Sequence, residues 1–254
     1  MAEYQIYPLK IAEFQQHEKS TLLYLRGAGE KLITPIISYL VQGNGLNIVV
    51  DTGCSGPEWS ALHHHPIVQT EEMKMVNALA AHGVKPEDVD CVVNTHLHWD
   101  HCWNNDLFPG KKIYVQKKEM EFALNPLPCQ WAYYESEQLG LTPPFKKTMD
   151  QYELVDGDVD LYDGIRLVFI PSHTPGFQGV LVNTAGGRYL IASDALGRYE
   201  CWEGDGVQKH IPTAIHVDLN QCYKTYDRIE TLCDYILPGH DARVFEHAVY
   251  PPEK

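Results

Sequence analysis

Between Thr95 and Cys102 the chain reads Thr-His-Leu-His-Trp-Asp-His-Cys, which places His96, His98, Asp100 and His101 in one short run. Imidazole and carboxylate are the ligand types that suit zinc and its neighbours, so the run reads as a metal-binding motif. It follows the apolar stretch 89–94, which has the look of a buried strand. If that strand runs into the motif, His96, His98 and Asp100 share one face, because strand side chains alternate. His101 can then join them only where the strand gives way to a turn or a helix start. The fold must therefore deliver these residues on the loop leaving a strand.

Composition narrows the rest. The 254 residues are 44% hydrophobic, enough for one large core, and a single unit spanning 1–254 is the expectation. Lys and Arg total 20 against 34 Asp and Glu, a net charge of -14 that repels nucleic acid and anionic membrane surfaces. Neither is an expected partner; a small molecule is, and a homodimer is compatible with the sequence. The seven cysteines include no Cys-x-x-Cys, which points away from a disulfide framework and toward a reducing compartment, the cytoplasm. Residues 1–10 carry no apolar signal segment, and the apolar runs 36–41 and 46–50 are far short of the about 20 residues a membrane helix needs.

Strands are expected over 21–26, 34–41 and 46–50, the last two joined by the Gly43-Asn44-Gly45 turn as a hairpin. An amphipathic helix over 71–82 stops at Gly83. A strand over 112–116 and a helix over 117–124 follow. The stretch 125–150 is rich in Pro and aromatics and reads as a lid insertion over a site. Strands at 166–170, 180–184 and 189–192, a helix over 218–233 and a strand at 235–237 complete the pattern.

Three further places put a His or Asp just after an apolar strand: His173 in Pro-Ser-His-Thr-Pro-Gly, Asp194 in Ile-Ala-Ser-Asp-Ala, and His240 in Leu-Pro-Gly-His-Asp. Alone, each is as readily a turn residue or a helix cap as a ligand. Taken in this order with Asp51 in Val-Val-Asp-Thr-Gly, they resemble the metallo-β-lactamase-fold hydrolases, and within them the N-acyl-homoserine lactonase group. The resemblance implies a four-layer α/β/β/α sandwich with two divalent metal ions at one edge, zinc first, with manganese, iron or cobalt as alternatives. It implies that His96, His98 and His173 hold one ion, that Asp100, His101 and His240 hold the other, and that Asp194 bridges them while Asp51 supports. Lactonases of this group commonly have a tyrosine three positions after the bridging aspartate; here that position is Gly197, and Tyr199 is the substitute candidate.

The expected reaction is the opening of a lactone, an acyl-homoserine lactone or another small ring, by a metal-bridging hydroxide, with Asp100 shuttling the proton and Asp194 keeping the ions together. Cyclic amides, thioesters of the glyoxalase II kind and a mono-iron sulfur dioxygenase chemistry are the alternatives on such a scaffold. His63-His64-His65 reads as a solvated loop, since three adjacent imidazoles cannot converge on one ion in regular structure. Cys102 reads as a small apolar wall residue, and of the nearby aromatics (Trp99, Trp103, Trp131, Tyr133, Tyr134, Tyr199, Trp202) one or two are expected to touch substrate.

Overall fold

The computed structural model describes residues 3–252. The outermost positions of the expected 1–254 unit, including Met1 and Lys254, lie outside the described residues.

Among the described residues, twelve strands form two sheets. The first contains β1 (Gln5–Glu18), β2 (Lys31–Gly43), β3 (Leu46–Val50), β4 (Ile67–Val68), β5 (Cys91–Val93), β6 (Lys112–Gln116) and β7 (Tyr152–Val155), in the order β4-β1-β2-β3-β5-β6-β7. The second contains β8 (Val159–Tyr162), β9 (Ile165–Phe169), β10 (Gln178–Thr184), β11 (Gly187–Ser193) and β12 (Tyr235–Pro238), in the order β12-β11-β10-β9-β8. Six helices connect or cover them: α1 (Pro57–His63), α2 (Met75–Ala80), α3 (Trp99–Cys102), α4 (Lys117–Leu124), α5 (Tyr199–Glu203) and α6 (Leu219–Leu232).

Alternation of side chains builds the layers. Ile37, Tyr39 and Val41 of β2, with Ile48, Val50 and Val93, face Leu167, Val180, Val182 and Ile191 of the other sheet. The intervening residues Ile36, Leu40, Val49 and Val92 turn the opposite way and pack on Met75, Ala78 and Leu79 of α2. On the far side, Val168, Leu190 and Ala192 pack on Cys222, Tyr226 and Ile229 of α6. The order is helix, sheet, sheet, helix, as expected for an α/β/β/α sandwich. Each fully buried aliphatic side chain contributes about 1.5–3 kcal/mol by leaving water.

The β2–β3 hairpin forms as its turn demands, with Asn44 at φ 51 and Gly45 at φ 77. The expected helix over 71–82 is shorter, its first residues forming turns before α2, and Gly83 ends it at φ +73. One expectation fails. Residues 21–26 are not a strand: a 3-10 turn at Lys19–Thr21 and Leu25 at φ 56 leave only an isolated bridge from Leu23 to Thr213. The long β1 carries no clean alternation, because register shifts between Lys10 and Ala12 and between Phe14 and His17 break the period.

The strand directions concentrate function at one edge. β3, β5 and β6 are parallel, β11 and β12 are parallel, and β9 runs with β11 because each is antiparallel to β10. The loops after β3, β5, β9, β11 and β12 therefore emerge together. They carry Asp51, the motif, His173, Asp194 and His240 respectively. Among the described residues no helix is long and apolar enough to cross a membrane.

Candidate metal centre

β5 ends at Val93, the chain runs extended through His98, and α3 starts at Trp99. That short turn of helix is what swings Asp100 and His101 toward the faces already occupied by His96 and His98. Three overlapping groups of ligand atoms result, each within 4.8 Å of one another: His96, His98 and His173; His96, His101 and Asp194; and Asp100, His101 and His240. All seven side chains are buried or nearly so. Asp194 is central. Its Oδ2 lies 3.2 Å from His240 Nε2, 3.4 Å from His101 Nε2 and 3.5 Å from His173 Nε2, and Asp100 Oδ2 lies 3.7 Å from the Nε2 of both His101 and His240.

Each of three rings is held in one tautomer from behind. His101 Nδ1 donates to Asp51 Oδ2 at 2.9 Å, His173 Nδ1 to the Ile215 carbonyl at 2.9 Å, and His240 Nδ1 to the Pro35 carbonyl at 2.8 Å. The Nε2 atoms are left to point inward, bare and able to ligate. Asp51 also accepts from Thr95 N, Thr95 Oγ1 and Ser193 Oγ, so one carboxylate ties three loops together. Asp51 at φ 60 and Ser193 at φ 43 occupy backbone conformations that non-glycine residues adopt only under constraint. Gly239 is required for a different reason: a Cβ there would sit 2.2 Å from Asp194 Oδ1.

Burial and crowding by other imidazoles hold His96 and His98 well below the usual histidine range. Burial opposes charge on His101 as well, but the carboxylates of Asp194, Asp100 and Asp51 overcome it and push that group up. Asp194 is held well down by His240 and His101 against its own burial. His96 Nε2, His101 Nε2 and Asp194 Oδ1 are buried without a hydrogen-bond partner. An unpaired buried polar atom costs about 1–3 kcal/mol, and three of them converging from imidazole and carboxylate is the donor chemistry that fits divalent cations.

The cleft over these atoms has a volume of ≈ 290 Å³. Phe14, Trp99 and Tyr133 form its aromatic walls, His17 and His65 its polar rim, and among the described residues no Lys or Arg lines it. The exposed Cys129 sits at its edge, whereas Cys102 is buried away from it against Leu97 and Tyr134.

Tyr199 does not reach the cleft. It opens α5, which carries its ring outward, 4.5 Å from the Arg243 guanidinium and into a separate groove with Tyr189 and Trp202. Gly197 lines the cleft in its place, and the phenol on the wall is Tyr133, whose carbonyl accepts from Trp99 N at 2.8 Å. The expectation that His63-His64-His65 is a solvated loop is also corrected. The His64 side chain is buried, stacked flat on Trp99 with ring centroids 3.9 Å apart, and all three imidazoles line the cleft, although His65 stays exposed and His63 half-buried. The stretch 125–150 supplies Tyr133 to the wall and buries Gln130, Tyr134, Glu135 and Phe145.

Glu119 is a residue that sequence reasoning passed over. Fully buried in α4, it accepts from Leu97 N at 3.0 Å, Tyr134 Oη at 2.7 Å and Thr174 Oγ1 at 2.5 Å, joining the motif, the 125–150 stretch and the His173 loop. Burial nevertheless pushes its carboxyl above the usual range. A helical Glu gives no such signal in one sequence.

Known proteins share both this pattern and this architecture. The family model of the metallo-beta-lactamase superfamily matches residues 34–240. An N-acyl homoserine lactonase of Bacillus cereus is 31% identical over 192 residues, 70% of each chain, and the N-acyl homoserine lactonase AttM of Rhizobium radiobacter is 27% identical over 243 residues, 90% of each. Among solved structures, a quorum-quenching N-acyl homoserine lactone lactonase superposes with a TM-score of 0.73 at 26% identity, covering 96% of this chain and 94% of its own. An N-acyl homoserine lactone hydrolase with the product N-hexanoyl-L-homoserine at its metal centre superposes with a TM-score of 0.76 at 24% identity, covering 97% and 96%, which speaks to fold alone. The strand-end loops, the buried donors they bring together and the match from 34 to 240 agree: this chain belongs to the metallo-beta-lactamase superfamily.

Proposed function

We propose that this chain is a metal-dependent hydrolase that opens a neutral lactone, of which the N-acyl homoserine lactones acted on by its relatives are the leading case. In this reading His96, His98 and His173 hold one divalent cation, Asp100, His101 and His240 a second, and Asp194 spans the two. Zinc is the first choice for a His-rich set, with manganese, iron and cobalt also suited. When bound, such ions supply a reactive water at neutral pH and Lewis-acid polarisation of the ester carbonyl.

The chain's own residues do the rest. Asp51, Ile215 and Pro35 fix the imidazoles, so no ring has to reorient during turnover. Asp100, one of the two donor carboxylates that line the cleft, takes up the proton of the attacking water. Phe14, Trp99 and Tyr133 exclude bulk water and leave space for a compact ring.

The observation that carries the substrate class is the charge of the walls. With no Lys or Arg lining the cleft, nothing on the protein pairs with the carboxylates of a glutathione thioester, whereas an uncharged lactone needs no such partner. The overlap of three donor groups also favours a pair of ions over the single iron of a dioxygenase. The free cysteines support residence in a reducing compartment, the cytoplasm.

Asp194→Asn tests this. The amide keeps the shape but loses the charge shared among three imidazoles, so kcat on a lactone should fall at least about 100-fold, about 2.7 kcal/mol of barrier, while circular dichroism stays unchanged. Full turnover in that variant sinks the scheme.

A further inference from the structure

His64 lies outside the proposed donor set, yet it is one of the most tightly held side chains around the cleft. Its ring stacks on Trp99 within 3° of parallel, and its Nε2 is 2.8 Å from Glu135 Oε1. Trp59 Nε1 donates to the same oxygen at 2.5 Å. Glu135 is fully buried, its Oε2 has no partner, and its backbone sits at φ 47. A buried carboxylate and a left-handed non-glycine residue are both unfavourable on their own account. Their combination is explained if this oxygen has to meet His64. The pairing leaves Nδ1 as the nitrogen that Glu135 does not take, on a ring that lines the cleft with Asp100 and Asp194.

We propose that His64, positioned by Glu135, delivers the proton to the leaving ring oxygen. This rests on the lactone reading above. Water adds its oxygen to the acyl carbon and gives one proton to Asp100; the new carboxylic acid loses the other to solvent, and Asp100 then releases its own the same way. The acyl carbon–ring oxygen bond breaks, the electron pair stays on the ring oxygen, and that oxygen takes the Nδ1 proton of the imidazolium. Neutral imidazole remains and is reprotonated from solvent. The products are a carboxylate and an alcohol, and no other reactant is needed. A carboxylate orienting an imidazole whose second nitrogen serves the reacting atoms is a recurrent acid–base arrangement.

The test compares two neutral lactones on zinc-loaded protein. One is an N-acyl homoserine lactone, whose leaving alkoxide needs a proton. The other is dihydrocoumarin, whose leaving phenolate, with a conjugate-acid pKa of about 10, needs little help. His64→Phe keeps a flat ring on Trp99 and removes both nitrogens. Its kcat should fall about 100-fold on the alkyl lactone and less than about 3-fold on the aryl one, with zinc content unchanged. Tm should fall, a loss that bears equally on whichever lactone is assayed, because Glu135 keeps only Trp59 as a partner. Glu135→Gln should show the same selective loss at about 10-fold, and it carries the test if the first variant misfolds. Equal loss on both lactones, which packing damage would give, or no loss on either, overturns the proposal. Wild-type protein that opens neither lactone overturns the lactone reading itself, and this inference with it.

Discussion

Asp51 shows how much one side chain can decide. Its carboxylate takes hydrogen bonds from Thr95, His101 and Ser193, and through His101 it fixes which ring nitrogen faces the centre. Asp51→Asn still accepts from Thr95 but no longer offers His101 Nδ1 a charged acceptor. Zinc affinity should fall about 10–100-fold, read by competition with a chromophoric chelator; unchanged affinity would show that the tautomer is set elsewhere. The motif from His96 to His101 was legible in sequence because its members are neighbours and their chemistry is unambiguous. His173, Asp194 and His240, each after an apolar strand, were legible only in their order with the motif, which carries the family resemblance. Tyr133, His64 and Glu119 were not, because their roles exist only in contacts across long separations, such as His64 with Glu135 or Glu119 with Thr174. Tyr199 was misplaced for a related reason: proximity to Asp194 in sequence says nothing about the direction in which α5 leaves.

The elements were read with uneven success, and packing explains which. β2, β3 and β6, and helices α4 and α6, carry residues of one pattern over their whole length. β1 does not, since its two register shifts send neighbouring residues such as Leu9, Ile11 and Ala12 into the interior. α6 illustrates a boundary that local chemistry does set: Asp218 accepts from Asn220 N at 2.9 Å and Gln221 N at 3.2 Å, satisfying donors that the first turn leaves open. Asp218→Ala should cost about 1 kcal/mol, lowering Tm by about 2–4 °C in a chain of this size, with turnover unaffected. A loss of activity in step with the loss of stability would mean that α6 also governs the Thr225 contact behind the His173 loop, where Thr225 Oγ1 donates to the Pro171 carbonyl at 2.5 Å.

At the level of the molecule, the donors come from four loops that only the docked sheets bring together, and they are drawn from both sheets. Cations bound there would tie residue 96 to residue 240 and relieve the three buried unpaired atoms. At a hundredfold excess over its dissociation constant a bound ion adds about 2.7 kcal/mol to stability. Stripping the protein with a chelator should therefore lower Tm by about 5–10 °C, and Asp194→Asn should respond less. A Tm indifferent to chelation would count against the site holding metal at all.

The lack of Lys and Arg in the lining of the cleft also bears on what happens after the bond is broken. Ring opening turns a neutral molecule into an anion inside a protein of net charge -14. Once that anion is released, no Lys or Arg of the cleft lining pairs with it, and the net negative field of the protein favours its departure. Substrate enters without electrostatic opposition and product leaves with electrostatic help, so turnover by such a cleft has a built-in direction.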